Sequence, residues 1–378
     1  MKFLMISSYL PSVLNFRGKL LEAIHAQGLE IHVLAPDLQD YPDELNQLQQ
    51  LGYQVHTVPM QRTGTNPIQD LKTLKTMYQL IRQIQPNYVL SYTIKPVIYG
   101  TLAAMLAKVP HRFALITGLG YAFQNAESGK RSIFQKMVKE LYAHALKHAH
   151  KVFFQNPDDL KLFQSMQLVS PQKPTVVVNG SGVNVQDFAV LDLPKNEHGQ
   201  AKASFLLIAR LLGDKGVREY AEAARIIKAK HPKVEFHLVG WIDENPAAIA
   251  QAELDTWVAE KVVNYWGKLS DVRPAIAASS VYVLPSYREG TPRTVLEAMA
   301  MGRAIITTDA PGCRETVIHG QNGYLVPVKS VEELVQAMQT FINDPQLMVR
   351  MGQRSREIAL EKYDVHQVNA HMMSEMGV

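Results

Sequence analysis

Short apolar runs rich in β-branched and aromatic residues alternate with helical patterns along most of the chain. In the first half, the runs at Lys2–Ile6, Glu30–Ala35 and 53–58 are each followed by a helical segment. In the second half, the runs at 204–209 and Val281–Leu284 continue the same rhythm. A continuous apolar strand is buried on both faces, and strand–helix alternation puts helices on those faces. The sequence therefore predicts an α/β architecture with parallel sheets.

The length of 378 residues exceeds that of an ordinary single domain and fits two. The rhythm stops between residues 188 and 202, where the chain is polar, contains Pro194 and Gly199, and lacks periodicity, as linkers do. We therefore predict doubly wound domains at 1–188 and 200–362. Ligands bind such sheets outside the carboxyl ends of the strands. Two such domains facing each other form a cleft, and the active site is expected there.

Composition excludes several classes of protein. Apolar residues make up 47% and charged residues 20% of the chain, which excludes a disordered protein or a coiled coil. No apolar run approaches the roughly 18 residues of a membrane-spanning helix. Cys313 is the single cysteine and cannot form an internal disulfide, which favours a reducing cytoplasm. No Asp-x-Asp triplet occurs, and His144, His148 and His150 lack further converging ligands, so no metal is expected.

Positive charge is concentrated in the first half of the chain. Residues 1–190 carry 18 Lys or Arg against 12 Asp or Glu, whereas the remainder carries 21 against 23. The helix predicted at 130–151 is basic and amphipathic. That pattern is typical of a helix on an anionic membrane, and equally of one whose apolar stripe packs on a sheet. Basic residues do not form one stripe interleaved with aromatics, so a nucleic-acid partner is not expected.

A strand, a tight loop and a helix are predicted in residues 284–302. Glu289, Gly290 and Thr291 lie in the loop, and the helix is expected to open at Thr291 or at the proline after it. Backbone amides at a helix start, with the positive end of the helix dipole behind them, form a phosphate site. Glu297, about a turn inside the helix, can accept paired hydrogen bonds from vicinal hydroxyls. The alternative is that both glutamates are ordinary acids that complement the dipole.

A second cluster follows the strand predicted at 204–209. Arg210 and Lys215 lie in the loop that leads to the next helix. Arginine supplies a planar fork of donors and lysine a point charge, and together they can neutralise a diphosphate. The alternative is a solvated basic loop.

Taken together, these motifs resemble the C-terminal signature of family-4 glycosyltransferases, which are retaining enzymes of the GT-B fold. The matching residues are Arg210, Lys215-Gly216, two glutamates separated by seven residues, and Gly312, Glu315, Gly320 and Asn322-Gly323. The resemblance extends over the whole chain, and residues 92–96 and 116–121 are similar to the capsule and glycan-assembly branch of the family. It implies two facing Rossmann-like domains with the active site in the inter-domain cleft. It also implies a last helix, at 363–378, that returns to the first domain.

The resemblance implies a role for each site residue. Arg210 and Lys215 would bind the donor diphosphate and stabilise the leaving nucleotide. Glu289 would hold a hydroxyl of the donor sugar, and the amides of the two residues after it would hold the distal phosphate. Glu297 would hold the ribose hydroxyls. A diphosphate oxygen would assist deprotonation of the acceptor, and neither a metal nor another cofactor would take part.

The implied activity is transfer of a hexosamine, N-acetylgalactosamine, from a UDP-sugar to an undecaprenyl-diphosphate-linked sugar, with retention. The product would enter a bacterial surface polysaccharide or a protein glycan. The enzyme would be cytoplasmic and peripheral on the inner face of the plasma membrane, where its basic N-terminal domain meets the anionic surface. Three alternatives stay open: the same class with a different sugar donor, a nucleotide-sugar epimerase of the same twin-domain plan, and a catalytically silent sugar-nucleotide-binding subunit.

The first half departs from the family pattern. Many members have a Gly-Gly loop after the first strand, which is absent from this sequence. Arg17 and Gly18, at the start of a helix predicted at 16–27, are expected to approach the diphosphate in its place. Many members also place a histidine after the fourth strand, and its role is unassigned in this chain. Lys95 follows that strand and is assigned either to a phosphate of the acceptor or donor, or to the solvated surface.

Residues 117–120 match a dinucleotide-binding loop only in part, because Phe123 occupies the position of the third glycine. A flexible loop on the acceptor side is expected at 121–129 instead.

Overall fold

The computed structural model describes residues 1–61, 66–118, 130–243, 245 and 247–378, with side chains described from residue 136 onward in the helix that begins at Lys130. The loop predicted at 121–129 lies outside these residues. The chain divides into two compact units. The first contains Met1–Ser181 and His366–Val378, and the second contains Gly182–Val365.

The first unit is a parallel α/β sheet. Its strands are β1 (Lys2–Ile6), β2 (Glu30–Ala35), β3 (Gln54–Thr57), β4 (Tyr88–Tyr92), β5 (His111–Ile116), β6 (Lys151–Phe154) and β7 (Thr175–Val177). Its first six helices are α1 (Leu10–Ala26), α2 (Pro42–Gln50), α3 (Pro67–Ile84), α4 (Thr101–Leu106), which continues a π-helical turn at Pro96–Gly100, α5 (Lys130–His148) and α6 (Pro157–Ser165). The seven strands in the described part of this unit are parallel, in the order β3-β2-β1-β4-β5-β6-β7.

The second unit has the same construction. Its strands are β8 (Ser204–Ile208), β9 (Glu235–Val239), β10 (Asn264–Tyr265), β11 (Val281–Leu284), β12 (Ala304–Thr308) and β13 (Gly323–Val326). Its helices are α7 (Val217–Lys230), α8 (Gln251–Ala259), α9 (Arg273–Ala277), α10 (Arg293–Ala300), α11 (Val331–Asn343) and α12 (Pro345–Lys362). The strands are parallel, in the order β10-β9-β8-β11-β12-β13. The prediction of parallel α/β sheets is confirmed in both units.

The central strands are buried on both faces because helices cover each side of the sheet. In β1, Phe3 and Met5 pack into one apolar cluster and Leu4 and Ile6 into another. The same alternation divides β8 between the two clusters of the second unit. Continuous apolar strands are therefore required, which is the pattern that the sequence shows.

Helix α1 begins at Leu10, six residues before the predicted start. Pro11 lies in its first turn, where a proline ring costs no intrahelical hydrogen bond. The prediction that the helix starts at residue 16 was therefore wrong, because a first-turn proline was interpreted as part of a loop.

The final helix, α13 (Val365–Met376), completes the core of the first unit. Met372, Met373 and Met376 pack into the cluster formed by α1 and the central strands. Lys151 Nζ contacts Glu375 Oε2 at 2.5 Å, which ties the start of β6 to this helix.

Two arginines fasten the predicted linker to the second unit. Arg303 is fully buried and donates hydrogen bonds to the carbonyls of Leu191, Asp192, Ile276 and Met301. Arg356 donates in the same way to the carbonyls of Val185, Phe188 and Ala300. The units accordingly divide between Ser181 and Gly182, ahead of the boundary predicted within 188–202.

No helix in the described part of the chain is both long enough and apolar enough to cross a bilayer.

We predict that Arg303→Ala strongly destabilises the second unit. Burial lowers the pKa of Arg303 to about 10, yet the group remains protonated at neutral pH. Its removal leaves buried carbonyls without donors and opens a cavity, at a cost of about 3 kcal/mol or more. Tryptophan fluorescence during urea unfolding measures this cost, since Trp241, Trp257 and Trp266 all lie in the second unit.

The matched control is Arg350→Ala, which removes an exposed arginine from the same unit and should shift the urea midpoint little. Equal midpoints for the two variants would show that Arg303 does not fasten the segment.

Candidate active site

The carboxyl ends of β8, β11 and β12 lie side by side at one edge of the second sheet. Each strand passes through a loop into the next helical segment, so the loops at 209–216, 285–292 and 309–316 converge at that edge. This is the edge at which doubly wound sheets bind ligands. Arg210, Lys215 and Glu289, predicted as site residues, all lie in these loops.

Two glycines allow these loops to approach closely. Gly216 has φ +69°, and a Cβ there would lie 2.2 Å from the carbonyl oxygen of Pro285. Gly312 has φ +81°, and a Cβ there would lie 2.1 Å from the carbonyl oxygen of Glu289. The Glu289 amide also donates to the carbonyl of Pro311 at 2.9 Å. The backbone around Glu289 is therefore enclosed by both neighbouring loops.

Lys215 and Glu289 form an ion pair at the centre of this edge. Lys215 Nζ lies 2.5 Å from Glu289 Oε1, and only 14% and 18% of the two side chains are exposed. Ser286, which is fully buried, donates its hydroxyl to the same carboxylate oxygen at 2.8 Å. The carboxylate is thus fixed by a cation and a hydroxyl from two different loops.

Burial opposes the charge of Lys215, but the attraction and hydrogen bond of Glu289 outweigh it, so the pKa of Lys215 is raised. The ammonium is therefore firmly protonated. Cys313, in the third loop, is fully buried, and burial raises the pKa of its thiol to about 12. It is consequently held as a neutral thiol beside the site.

Arg210 Nη1 contacts Asp243 Oδ2 at 2.9 Å, beyond the end of β9. The side chain of Arg210 is 40% exposed, so it is partly accessible to a ligand. The structure therefore places Arg210 and Lys215 in one loop, each with its own carboxylate partner.

Glu297 lies in the second turn of α10 and is 7% exposed. Arg293 donates to its Oε1 at 2.8 Å, one turn earlier in the helix. Burial raises the pKa of Glu297, and Arg293 partly opposes that shift. Gly290 and Thr291 lie in the loop before the helix, which starts at Arg293, directly after Pro292.

In the first unit, Arg17 lies two turns inside α1, so neither it nor Gly18 stands at a helix start. The Arg17 side chain is 3% exposed, and its guanidinium carbon lies 5.6 Å from the ring centre of Tyr92. The prediction that these residues stand at a helix start was therefore wrong, because α1 begins at Leu10. Their approach to a diphosphate stays a prediction.

Lys95 is not a solvated lysine. Its Nζ contacts Asp70 Oδ1 at 2.8 Å, and each side chain is 15% exposed. Burial and Asp70 raise the pKa of Tyr99 beside this pair. The charge of Lys95 is therefore already balanced, and a phosphate would have to displace Asp70.

The basic helix predicted at 130–151 is observed as α5, and its apolar stripe packs on the sheet through Tyr142, Ala145 and Leu146. Across the described residues, no group of three or more His, Cys, Asp or Glu side chains is arranged to hold a metal ion.

Sequence reasoning missed Ser286 and Asp243, which hold Glu289 and Arg210. Ser286 directly follows Leu-Pro at the end of a buried strand, and that position could have identified it as a residue of the ligand-binding edge. Asp243 follows a different strand from Arg210, and no local pattern joins the two residues.

Two family models match the chain. Residues 12–156 match "Glycosyl transferase 4-like" and residues 202–344 match "Glycosyl transferases group 1". The N,N'-diacetylbacillosaminyl-diphospho-undecaprenol alpha-1,3-N-acetylgalactosaminyltransferase of Campylobacter jejuni is 30% identical, over 93% of this chain and 92% of its own length. The UDP-Gal:alpha-D-GlcNAc-diphosphoundecaprenol alpha-1,3-galactosyltransferase of Escherichia coli is 27% identical, over 77% and 76%.

Among solved structures, Anabaena Alr3699/HepE in complex with UDP superposes with a TM-score of 0.77 at 19% identity. The match covers 100% of each chain. At that identity the likeness concerns the fold.

We predict that Lys215 and Glu289 are energetically coupled. Lys215→Met leaves the nearly buried carboxylate of Glu289 without its cation, and Glu289→Gln leaves the nearly buried ammonium of Lys215 without its carboxylate. Each single change should cost about 3 kcal/mol of folding stability. The double variant removes both and should cost about 1–3 kcal/mol less than the sum of the single changes. Urea unfolding followed by tryptophan fluorescence measures the three variants. Strictly additive costs would contradict the pairing.

Proposed function

Because the chain belongs to the group 1, family-4-like glycosyltransferases, we propose that it transfers N-acetylgalactosamine from a UDP-sugar to an undecaprenyl-diphosphate-linked sugar, with retention. The family follows from the relative that is 30% identical over almost the whole chain and from the two matching models. The protein is accordingly a glycosyltransferase, and its GT-B fold, with two Rossmann-like domains, confirms the fold prediction.

The relatives support the class of acceptor. Both are named for transfer to a sugar on an undecaprenol diphosphate, and they are named for different donor sugars. Both names therefore support the class of acceptor, and the choice of N-acetylgalactosamine as donor sugar rests on the more similar of the two relatives. Neither name supports the epimerase alternative.

The observation that carries the proposal is the Lys215–Glu289–Ser286 arrangement. A UDP-sugar brings a diphosphate and a hydroxyl-bearing ring to the same place. In the proposed reaction the diphosphate contacts Lys215 and Arg210, which stabilise the charge that develops on the leaving nucleotide. Glu289, fixed by Ser286, accepts a hydrogen bond from a hydroxyl of the donor sugar.

In the proposed reaction, donor binding replaces the ion pair between Lys215 and Glu289 with contacts from each residue to the ligand. Without a ligand, Lys215 is neutralised by Glu289 at 2.5 Å. A diphosphate oxygen can replace that carboxylate on the ammonium, which leaves Glu289 available to the sugar. The cost of separating the pair is offset only by a ligand that supplies both groups, so UDP alone should bind less well than a matching UDP-sugar.

Nucleotide recognition is assigned to α10. Glu297 accepts the ribose hydroxyls, and the loop amides of Gly290 and Thr291 hold the distal phosphate at the positive end of the helix. Burial raises the pKa of Glu297 and so favours its neutral form, whereas hydrogen bonds from vicinal hydroxyls and from Arg293 favour its charged form.

We propose that the first unit binds an anionic membrane through helices α3, α4 and α5. Residues 62–139 contain 11 Lys or Arg and only two Asp or Glu. At the start of α3, Ile68 and Leu71 are 82% and 67% exposed, beside the exposed Lys72 and Lys75. Apolar side chains flanked by lysines are typical of an interfacial helix.

The central test is transfer in vitro. Purified chain is incubated with a panel of UDP-sugars and N,N'-diacetylbacillosaminyl-diphospho-undecaprenol. Consumption of UDP-N-acetylgalactosamine is expected only when the lipid is present, with an α-linked product. Lys215→Ala and Glu289→Ala should each lower kcat/KM at least about 100-fold, the usual loss when one transition-state contact is removed.

Lys230→Ala and Glu332→Ala, exposed residues of the same unit, serve as controls. Full turnover by folded Lys215→Ala and Glu289→Ala variants would contradict the site. A new UDP-sugar formed without lipid would support the epimerase instead, and stabilisation by GDP rather than UDP would move the donor to another nucleotide.

Membrane contact is tested separately by flotation. The chain should bind vesicles that contain phosphatidylglycerol and should bind pure phosphatidylcholine weakly. Lys72→Glu with Lys75→Glu removes two cations worth about 1 kcal/mol each and should weaken binding about 30-fold or more. Charge reversal at Lys228 and Lys230, in the second unit, is the control. Equal loss in both double variants would show that the contact is not specific to α3.

A further inference from the structure

The chain passes from β4 into a helix through a single residue. The strand ends at Tyr92, and residues 94 and 95 are already helical ahead of the π-helical turn at Pro96–Gly100. Thr93 makes the whole turn, with φ +68°. Its carbonyl accepts a hydrogen bond from the Val97 amide at 3.0 Å, which closes the first helical turn.

This backbone conformation is unusual for threonine. A positive φ brings a β-branched side chain against its own backbone, so it persists only where the surrounding structure holds it. Thr93 is the only β-branched residue with a positive φ in the described part of the chain. The other non-glycine residues with a positive φ carry unbranched β-carbons: Asp37, Gln85, Lys108, Gln167, Lys261 and Lys329.

A hydroxyl from the neighbouring strand loop holds Thr93. Ser8, which follows β1, has its Oγ 2.8 Å from Thr93 Oγ1. The strands β1 and β4 are adjacent, and this is where the strand order of the sheet reverses. Doubly wound sheets bind ligands at that switch point. The unusual backbone of Thr93 and the switch point of the sheet therefore coincide at the hydroxyls of Ser8 and Thr93.

The chemistry of the pair indicates the kind of ligand. Two hydroxyls that bond to each other keep one hydrogen and several lone pairs for a third partner. They carry no charge, and the nearby ammonium of Lys95 is already committed to Asp70. The pair therefore suits a neutral ligand with hydroxyl or amide groups, such as a sugar ring, better than it suits a phosphate.

A sharp strand-to-helix turn that exposes a hydroxyl also occurs where serine acts as a nucleophile. Among the described residues, the Thr93 hydroxyl hydrogen-bonds only to Ser8, and no general base in that part of the chain touches it. Binding, rather than covalent catalysis, is the role that fits.

We infer that Thr93, held by Ser8, is a specificity-determining residue that hydrogen-bonds the acceptor sugar. The inference rests on the proposed function, because it takes the acceptor to be a sugar bound by the first unit. It assigns Thr93 to the acceptor and leaves donor binding to the second unit.

The test compares Thr93→Val with Thr93→Ser. Valine keeps the β-branched shape and loses the hydroxyl, whereas serine keeps the hydroxyl. Thr93→Val should raise the KM for the lipid-linked acceptor about 10-fold, the loss of one neutral hydrogen bond, and leave the donor KM unchanged. Thr93→Ser should recover most of that loss. Ser8→Ala should act in the same direction, and adding it to Thr93→Val should cost little more.

Thr256→Val, an isosteric change at an exposed position of α8, is the matched control. An unchanged acceptor KM in folded Thr93→Val would overturn the inference, as would an equal rise in the donor KM. If Thr93→Val fails to fold, the acceptor KM of Ser8→Ala decides alone. A wild-type chain that transfers no sugar would overturn the proposed function itself, which is a distinct result from wild-type transfer with an unaffected variant.

Discussion

The parallel sheets restrict where functional side chains can lie in this protein. The strands described in each unit all run in the same direction, so they leave the sheet at one edge, and most of them lead into a helical segment there. Lys215 follows β8, Glu289 follows β11, Cys313 follows β12, and Thr93 follows β4. Lys215, Glu289 and Cys313 are far apart in sequence, yet the strand order of the second unit makes their loops neighbours. The proposed donor contacts and the proposed acceptor contact are both consequences of this one constraint.

Within the second unit, close backbone packing turns neighbouring loops into a fixed frame. Gly216 and Gly312 admit the carbonyls of Pro285 and Glu289 into space that a Cβ would fill. The charges are then paired inside that frame before any ligand arrives. In the proposed reaction, a diphosphate would meet cations whose positions are already set, and the energetic cost of binding would lie in separating ion pairs rather than in ordering loops.

Local patterns predicted much of this architecture. Apolar runs located β8 and β11, and Lys215 and Glu289 were predicted in the loops that follow these strands, where doubly wound sheets bind ligands. The ion pair between them, and the hydroxyl of Ser286, required the sheet order. The contact of the Thr93 hydroxyl could not be predicted from local sequence, because its partner Ser8 lies 85 residues earlier. The buried Arg303 was equally hidden, since its acceptors are backbone carbonyls that any residue supplies.

The three methionines of α13 also determine when the core of the first unit can be completed during synthesis. Met372, Met373 and Met376 fill the core of the first unit, but they leave the ribosome after all of the second unit. A growing chain thus carries an incompletely covered apolar surface on its first unit while the second is translated. Domains generally fold as they emerge. Here the first to emerge is the last to be completed, which makes the nascent chain dependent on translation reaching its final helix.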